Sequence, residues 1–240
     1  MHYSALCLDL DDTLWPVAPA ILAAERATAE FLLKHHPEMA PPDGAPESVV
    51  AVMRRWREAV SRHHPDRHQD LTWLRTEALR LQALEAGHDA SAASAVAEKV
   101  FEVFFAWRHA VQPYPDVPGA LTRLAQRFPL FVLSNGNAEP ARTPLGHHFR
   151  HAFSARSLGV AKPDRRAFLA VAAQTGIAAE AWLYVGDDPH ADVVGARGAG
   201  MGTAWIHRRE KRWPEELPRA DHEFADLAEL ADYLLGPDRD

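Results

Sequence analysis

The sequence predicts an α/β fold whose parallel-sheet core is split by an inserted all-helical domain, and three observations carry that expectation. Short apolar runs end in clusters of polar residues. In the second half of the chain such runs alternate with helical periodicity, and a long helix-only stretch follows the first run.

The first run, Ala5 to Leu10, stops at a burst of carboxylates and reads as a buried strand with acidic groups at its C-terminal end. From about Pro16 to Gln112 the periodicity is helical, with helices expected near 19–35, 47–62, 70–86 and 90–109. Breaks fall at Pro41-Pro42-Asp43-Gly44, His64-Pro65-Asp66 and Gly87-His88-Asp89. After Pro113-Tyr114-Pro115 a helix over Val117 to Arg127 leads to a strand, Leu130 to Leu133, and then Ser134-Asn135-Gly136. A helix over Arg165 to Gly176 precedes a strand, Ala181 to Val185, that ends at Gly186-Asp187-Asp188. A helix over Asp192 to Ala199 precedes the last expected strand, Thr203 to Ile206. The expected division is a core of residues 1–15 and 113–240 and an insertion of residues 16–112, with the acidic end 236–240 frayed.

A chain of 240 residues accommodates one sizeable core and a satellite domain, and 47% hydrophobic with 25% charged residues is an ordinary globular composition. The net charge of -7 argues against a nucleic-acid partner, which needs a basic face. No run reaches the roughly 18 apolar residues of a membrane helix, and no charged lead-in precedes one, so a cytoplasmic protein with no membrane partner is expected. Cys7 is the single cysteine and reads as a buried structural thiol. Lysine occurs only at positions 34, 99, 162 and 211, which draws attention to Lys162. Two dense histidine spots, His63-His64 with His68 and His147-His148 with His151, read as surface histidines. Trp56, Trp73 and Trp107 read as core fillers, and Trp15 as a candidate wall of a substrate pocket.

Ligands of a parallel α/β sheet bind at the carboxyl ends of its strands. The distinctive polar residues fall there: Asp9 and Asp11, then Ser134 and Asn135, then Asp187, Asp188 and Asp192, with Lys162 in a turn that opens a helix. Each group alone also reads as a turn or a helix cap. Together they imply a crowded carboxylate site that needs positive charge from a lysine and a divalent cation. Oxygen donors without Cys or His point to Mg²⁺, and the set suits a tetrahedral oxyanion such as phosphate.

Asp9-Leu10-Asp11-Asp12-Thr13-Leu14 resembles the nucleophile motif of the haloacid dehalogenase-like superfamily. Ser134 at a strand end, Lys162-Pro163, and Gly186-Asp187 with Asp192 resemble its later motifs in the same order. The resemblance covers about 1–15 and 113–235 and makes the fold Rossmann-like with a helical cap. It implies that Asp9 is the nucleophile and Asp11 the general acid/base, whose main-chain carbonyl also meets the metal. Ser134 and Asn135 would bind the phosphoryl group with Lys162, Asp187 would hold Mg²⁺ together with Asp9, and Asp188 and Asp192 would stand behind them. The implied reaction is hydrolysis of a small phosphorylated metabolite, a flavin-pathway phosphate or nucleoside monophosphate, by a monomer or homodimer with a mobile cap that selects the substrate. The alternatives are a sugar phosphomutase, a metal-independent 2-haloacid dehalogenase, whose pattern lacks the aspartate at position 11, and a non-catalytic phosphate-binding regulatory module.

Overall fold

A computed structural model describes residues 3–208 and 212–236, so most of the acidic end lies outside the described residues. The chain divides into two compact units, Met1–Pro16 with Gln112–Asp240, and Val17–Val111.

The first unit is built on six parallel strands in the order β3-β2-β1-β4-β5-β6. These are β1 (Ala5–Leu8), β2 (Leu130–Ser134), β3 (His151–Ser154), β4 (Trp182–Gly186), β5 (Gly202–Ile206) and β6 (His222–Phe224). The three central strands β2, β1 and β4 are buried at every position, as continuous apolar runs covered on both faces require. Burying each of their leucines is worth about 1.5–3 kcal/mol relative to exposure. Cys7 pairs with Phe131 on one side and Tyr184 on the other, and these residues pack with Phe168 and Trp182 in one apolar cluster. The sheet is the expected Rossmann-like one, and β1 lies where the strand order reverses, with β2 on one side and β4 on the other.

Two edge strands were not expected from the sequence. Strand β3 carries the exposed His151, and β6 has no fully buried residue, so neither has the apolar run that marks the centre of the sheet. The helix expected over Asp192 to Ala199 is instead a π-helical turn, Pro189–Val194, followed by a single α-turn, Gly195–Gly198. The Asp188 carboxylate caps that turn by accepting from the N–H groups of His190 and Ala191, and Pro189 opens it.

The second unit comprises α1 (Val17–His35), α2 (Pro46–His63), α3 (Leu71–Glu85) and α4 (Ala90–Arg108). Asp70 and Asp89 accept from the N–H groups of Trp73 and Ala92 and so start α3 and α4. Leu32, Val49, Leu79, Ala97 and Val100 are among the residues of its core. Glu25 is buried in this unit, and Arg54 grips it with three hydrogen bonds of 2.5–3.3 Å. Trp107, expected as a core filler, is 48% exposed, because the core stripe of α4 runs through Ala93, Ala97, Val100 and Phe104 instead. Among the described residues no helix is long and apolar enough to cross a membrane.

Candidate active site

The carboxyl ends of β1, β2 and β4 bring Asp9, Ser134 and Asp187 to the crevice where the strand order reverses. Asp9 continues the register of β1, its N–H donating to the Val185 carbonyl at 2.9 Å. The chain then folds back on itself. The Leu14 N–H donates to the Leu10 carbonyl at 2.8 Å and the Asp12 N–H to the Trp15 carbonyl at 2.7 Å. Asp12 sits in the left-handed region at φ 60°, a conformation that Asp tolerates better than most residues with a Cβ.

This loop buries Thr13, whose hydroxyl lies 3.3 Å from Asp187 Oδ1 and 3.5 Å from Asp9 Oδ2. It also aims the Trp15 indole N–H at Asp11 Oδ1, 2.9 Å away. Trp15 is fully buried, so it is a support for Asp11 and not the open pocket wall expected of it.

Lys162 is the hub of the site. Its ammonium donates to Asp9 Oδ1 at 2.6 Å, Asp192 Oδ1 at 2.7 Å and the Tyr184 hydroxyl at 2.8 Å, three acceptors for three protons. Tyr184 passes its own proton to the Leu133 carbonyl at 2.9 Å. The lysine's backbone is clamped as well. Asn135 Oδ1 accepts from its N–H at 2.9 Å and Asn135 Nδ2 donates to its carbonyl at 2.8 Å, so this side chain is spent on holding the lysine loop. Ser134 Oγ accepts from the Gly136 N–H at 2.9 Å, an arrangement that leaves its proton for another acceptor.

Asp192 holds Lys162 with one oxygen and accepts from the Asp188 N–H with the other, at 3.0 Å. Its approach requires Gly186, where an added Cβ would lie 2.2 Å from Asp192 Oδ2. Asp188 itself faces its helical turn, as described above. Asp187 is buried at the end of β4, and its carbonyl accepts from the Trp205 indole at 2.9 Å.

Burial raises the Asp9 carboxyl well above the ordinary carboxylate value; Lys162 opposes that rise, and Asp192 and Asp187 add to it. For Lys162, burial alone would weaken proton binding, but Asp192 and Asp9 outweigh it and the ammonium is raised above its ordinary value.

Carboxylate oxygens of Asp9, Asp187 and Asp192 lie within 4.8 Å of one another. Three buried carboxylates against one ammonium leave two negative charges, and oxygen-only donors suit a hard divalent cation such as Mg²⁺. Asp192 gives one oxygen to Lys162 and the other to the Asp188 N–H, and Asp9 and Asp187 are the other two side chains of the group that could hold the cation.

Three supports lay beyond sequence reasoning. Tyr184 had one signal, a phenol within an otherwise apolar strand, which needs a partner when buried. Thr13 read only as a possible cap. Arg208 had none: its Nε donates to the Thr13 carbonyl at 2.8 Å and its guanidinium forks onto Asp116 at 2.8 and 2.9 Å.

A family model described as haloacid dehalogenase-like hydrolase matches residues 3–200. The chain is 33% identical to the 5-amino-6-(5-phospho-D-ribitylamino)uracil phosphatase YigB of Escherichia coli, over 85% of this chain and 83% of that one. It is 30% identical to a phosphoserine phosphatase of Thermus thermophilus, over 94% and 96% of the two chains. Among solved structures, it resembles a 2-haloacid dehalogenase from Pseudomonas syringae pv. Tomato with a TM-score of 0.88 and 36% identity, over 97% of this chain and 98% of that one.

Proposed function

This chain belongs to the haloacid dehalogenase-like hydrolases, and on that premise we propose that it is a Mg²⁺-dependent phosphatase acting through an aspartyl-phosphate on Asp9. The observation that carries this reading is Asp11, a half-buried carboxyl two residues after Asp9 and held by the Trp15 indole. Halide is a weak base and leaves without a proton, so a dehalogenase has no work for such a group. An alkoxide leaving group does need one.

In the first step an Asp9 oxygen attacks phosphorus as the bond to the leaving oxygen breaks, and Asp11 gives that oxygen its proton. In the second, Asp11 takes a proton from water, the water oxygen attacks phosphorus, and the bond to Asp9 breaks. Lys162 fixes the Asp9 carboxylate through Oδ1 and offsets negative charge beside it. Ser134 donates its free proton to a phosphoryl oxygen. Asp9, Asp187 and the Asp11 carbonyl would hold Mg²⁺, which would supply further positive charge against the phosphoryl group. Asp192 keeps Lys162 in line, and Asn135 keeps its loop in place.

The substrate on this reading is a small phosphorylated metabolite in the cytoplasm. The similarity to the ribitylaminouracil phosphatase makes a flavin-pathway phosphate the first to try. The test is a panel of phosphate esters with Mg²⁺, including that ester and nucleoside monophosphates, run beside 2-chloropropionate. Phosphate release with no chloride release is expected. Chloride release in chelator, with no ester hydrolysed, would overturn the proposal in favour of the dehalogenase reading that the Pseudomonas syringae structure supports.

A further inference from the structure

Two groups of metal-ligating side chains come together among the described residues. One is the aspartate cluster above, and the other is His36, Glu38 and His88 in the helical unit. Neither dense histidine run is part of such a group. The second group joins residues about fifty positions apart, from the end of α1 and from the turn between α3 and α4.

Its geometry is that of a metal site. Glu38 Oε1 lies 3.3 Å from His36 Nδ1 and 2.8 Å from His88 Nε2, and the three ligand atoms all fall within 4.8 Å of one another. Two ligands about 2.0–2.1 Å from a tetrahedral zinc stand about 3.3–3.4 Å apart. The Glu38 oxygen therefore stands within about 0.6 Å of that spacing from each histidine nitrogen. The side chains are 20%, 40% and 23% exposed for His36, Glu38 and His88, which leaves a path for entry and room for water as a fourth ligand.

The backbone holds this arrangement without metal. His36 ends α1 with its N–H on the Leu32 carbonyl at 2.8 Å, and the following Pro37–Met39 forms a 3₁₀ turn. His88 follows Gly87, which takes φ 97°, and its N–H donates to the Ala83 carbonyl at 3.1 Å. Gln82 Nε2 ties the two segments together through the Met39 carbonyl at 2.7 Å.

We propose that His36, Glu38 and His88 form a binding site for Zn²⁺ or a similar borderline first-row cation, pinning the end of α1 to the α3–α4 turn. Two imidazole nitrogens and one carboxylate oxygen match zinc and not magnesium, so the site is chemically separate from the aspartate cluster. It does not depend on the phosphatase reading.

The test is Zn²⁺ uptake by the full chain in competition with a chromophoric chelator, with excess Mg²⁺ present to occupy the oxygen-only cluster. Wild type is expected to hold one Zn²⁺, with affinity falling at least about a hundredfold in His36→Ala and in His88→Ala, since outer partners of metal ligands alone already cost about 10–100-fold. Co²⁺ in place of Zn²⁺ should give the intense visible absorption of a low-coordinate nitrogen and oxygen site. That band should disappear in His88→Gln, which keeps most of the side-chain volume, and persist in Asp187→Asn. Circular dichroism of each variant checks that it is folded. Equal Zn²⁺ uptake by wild type and the folded histidine variants, or a Co²⁺ band that follows Asp187 and not His88, would overturn the proposal.

Discussion

The Trp15 indole N–H donates to Asp11 Oδ1 at 2.9 Å, fixing the carboxyl that follows the proposed nucleophile by two residues. The lever is local, because the loop from Asp9 to Trp15 closes through its own backbone bonds. Removing one partner of a part-buried hydrogen bond costs about 1–3 kcal/mol. Trp15→Phe should therefore lower kcat roughly 10- to 100-fold while KM changes little. In an Asp11→Asn background the same substitution should do nothing further. Additive losses in the double variant would show that Trp15 acts only through packing.

Asp9→Asn keeps the shape of the side chain and removes the attacking oxygen, so turnover should fall more than roughly a thousandfold with the protein still folded. Chelator should abolish wild-type activity, Mg²⁺ should restore it, and Ca²⁺, which takes more ligands at longer distances, should restore it poorly. Steady-state assays with each ion decide this, and full activity in excess chelator would sink the magnesium role.

Gly186→Ala drives a methyl into Asp192, 2.2 Å from Oδ2 and 2.4 Å from Cγ. Overpacking of this kind costs about 1–3 kcal/mol of stability. The larger effect should be on rate, because Asp192 is one of three acceptors that aim Lys162, and a misplacement of about 1 Å can cost roughly 100-fold. Wild-type kcat in the folded variant would show that Asp192 does not set the lysine's position.

Asp116 joins Arg208 to the nucleophile loop, and its carboxyl lies below the ordinary 3.8. Burial works against that shift, and hydrogen bonds from Arg208 and the Leu227 N–H outweigh it. A carboxyl lowered by folding stabilises the protein above its unfolded value and loses that contribution as pH falls through the folded value. Asp116→Asn should cost about 1–3 kcal/mol near neutral pH, less than a fully buried pair because Asp116 keeps some solvent contact. Urea unfolding of both proteins should show that difference shrinking as pH drops below about 3.8. A gap independent of pH would mean the carboxylate charge is not what Arg208 reads.

The sequence by itself determined the parallel α/β class, the central strands, the four long helices of the insertion and the segments that bear the candidate site residues. Those features are local: a strand covered on both faces is an unbroken apolar run, a helix repeats every 3.6 residues, and polar residues at the end of a buried strand stand out against it. Strands β3 and β6 left no such mark because edge positions bury little. The π-turn before Gly195 was legible only as helix, since local pattern does not separate the two. Tertiary structure alone decided the distances. It set Lys162 between Asp9 and Asp192, spent Asn135 on the lysine backbone, turned Trp15 from a supposed pocket wall into a donor for Asp11, and brought Arg208 to Thr13 across 195 residues. It also left the conspicuous histidine runs apart and joined His36, Glu38 and His88. Contacts of that span depend on how the chain closes on itself, and neither periodicity nor propensity records that.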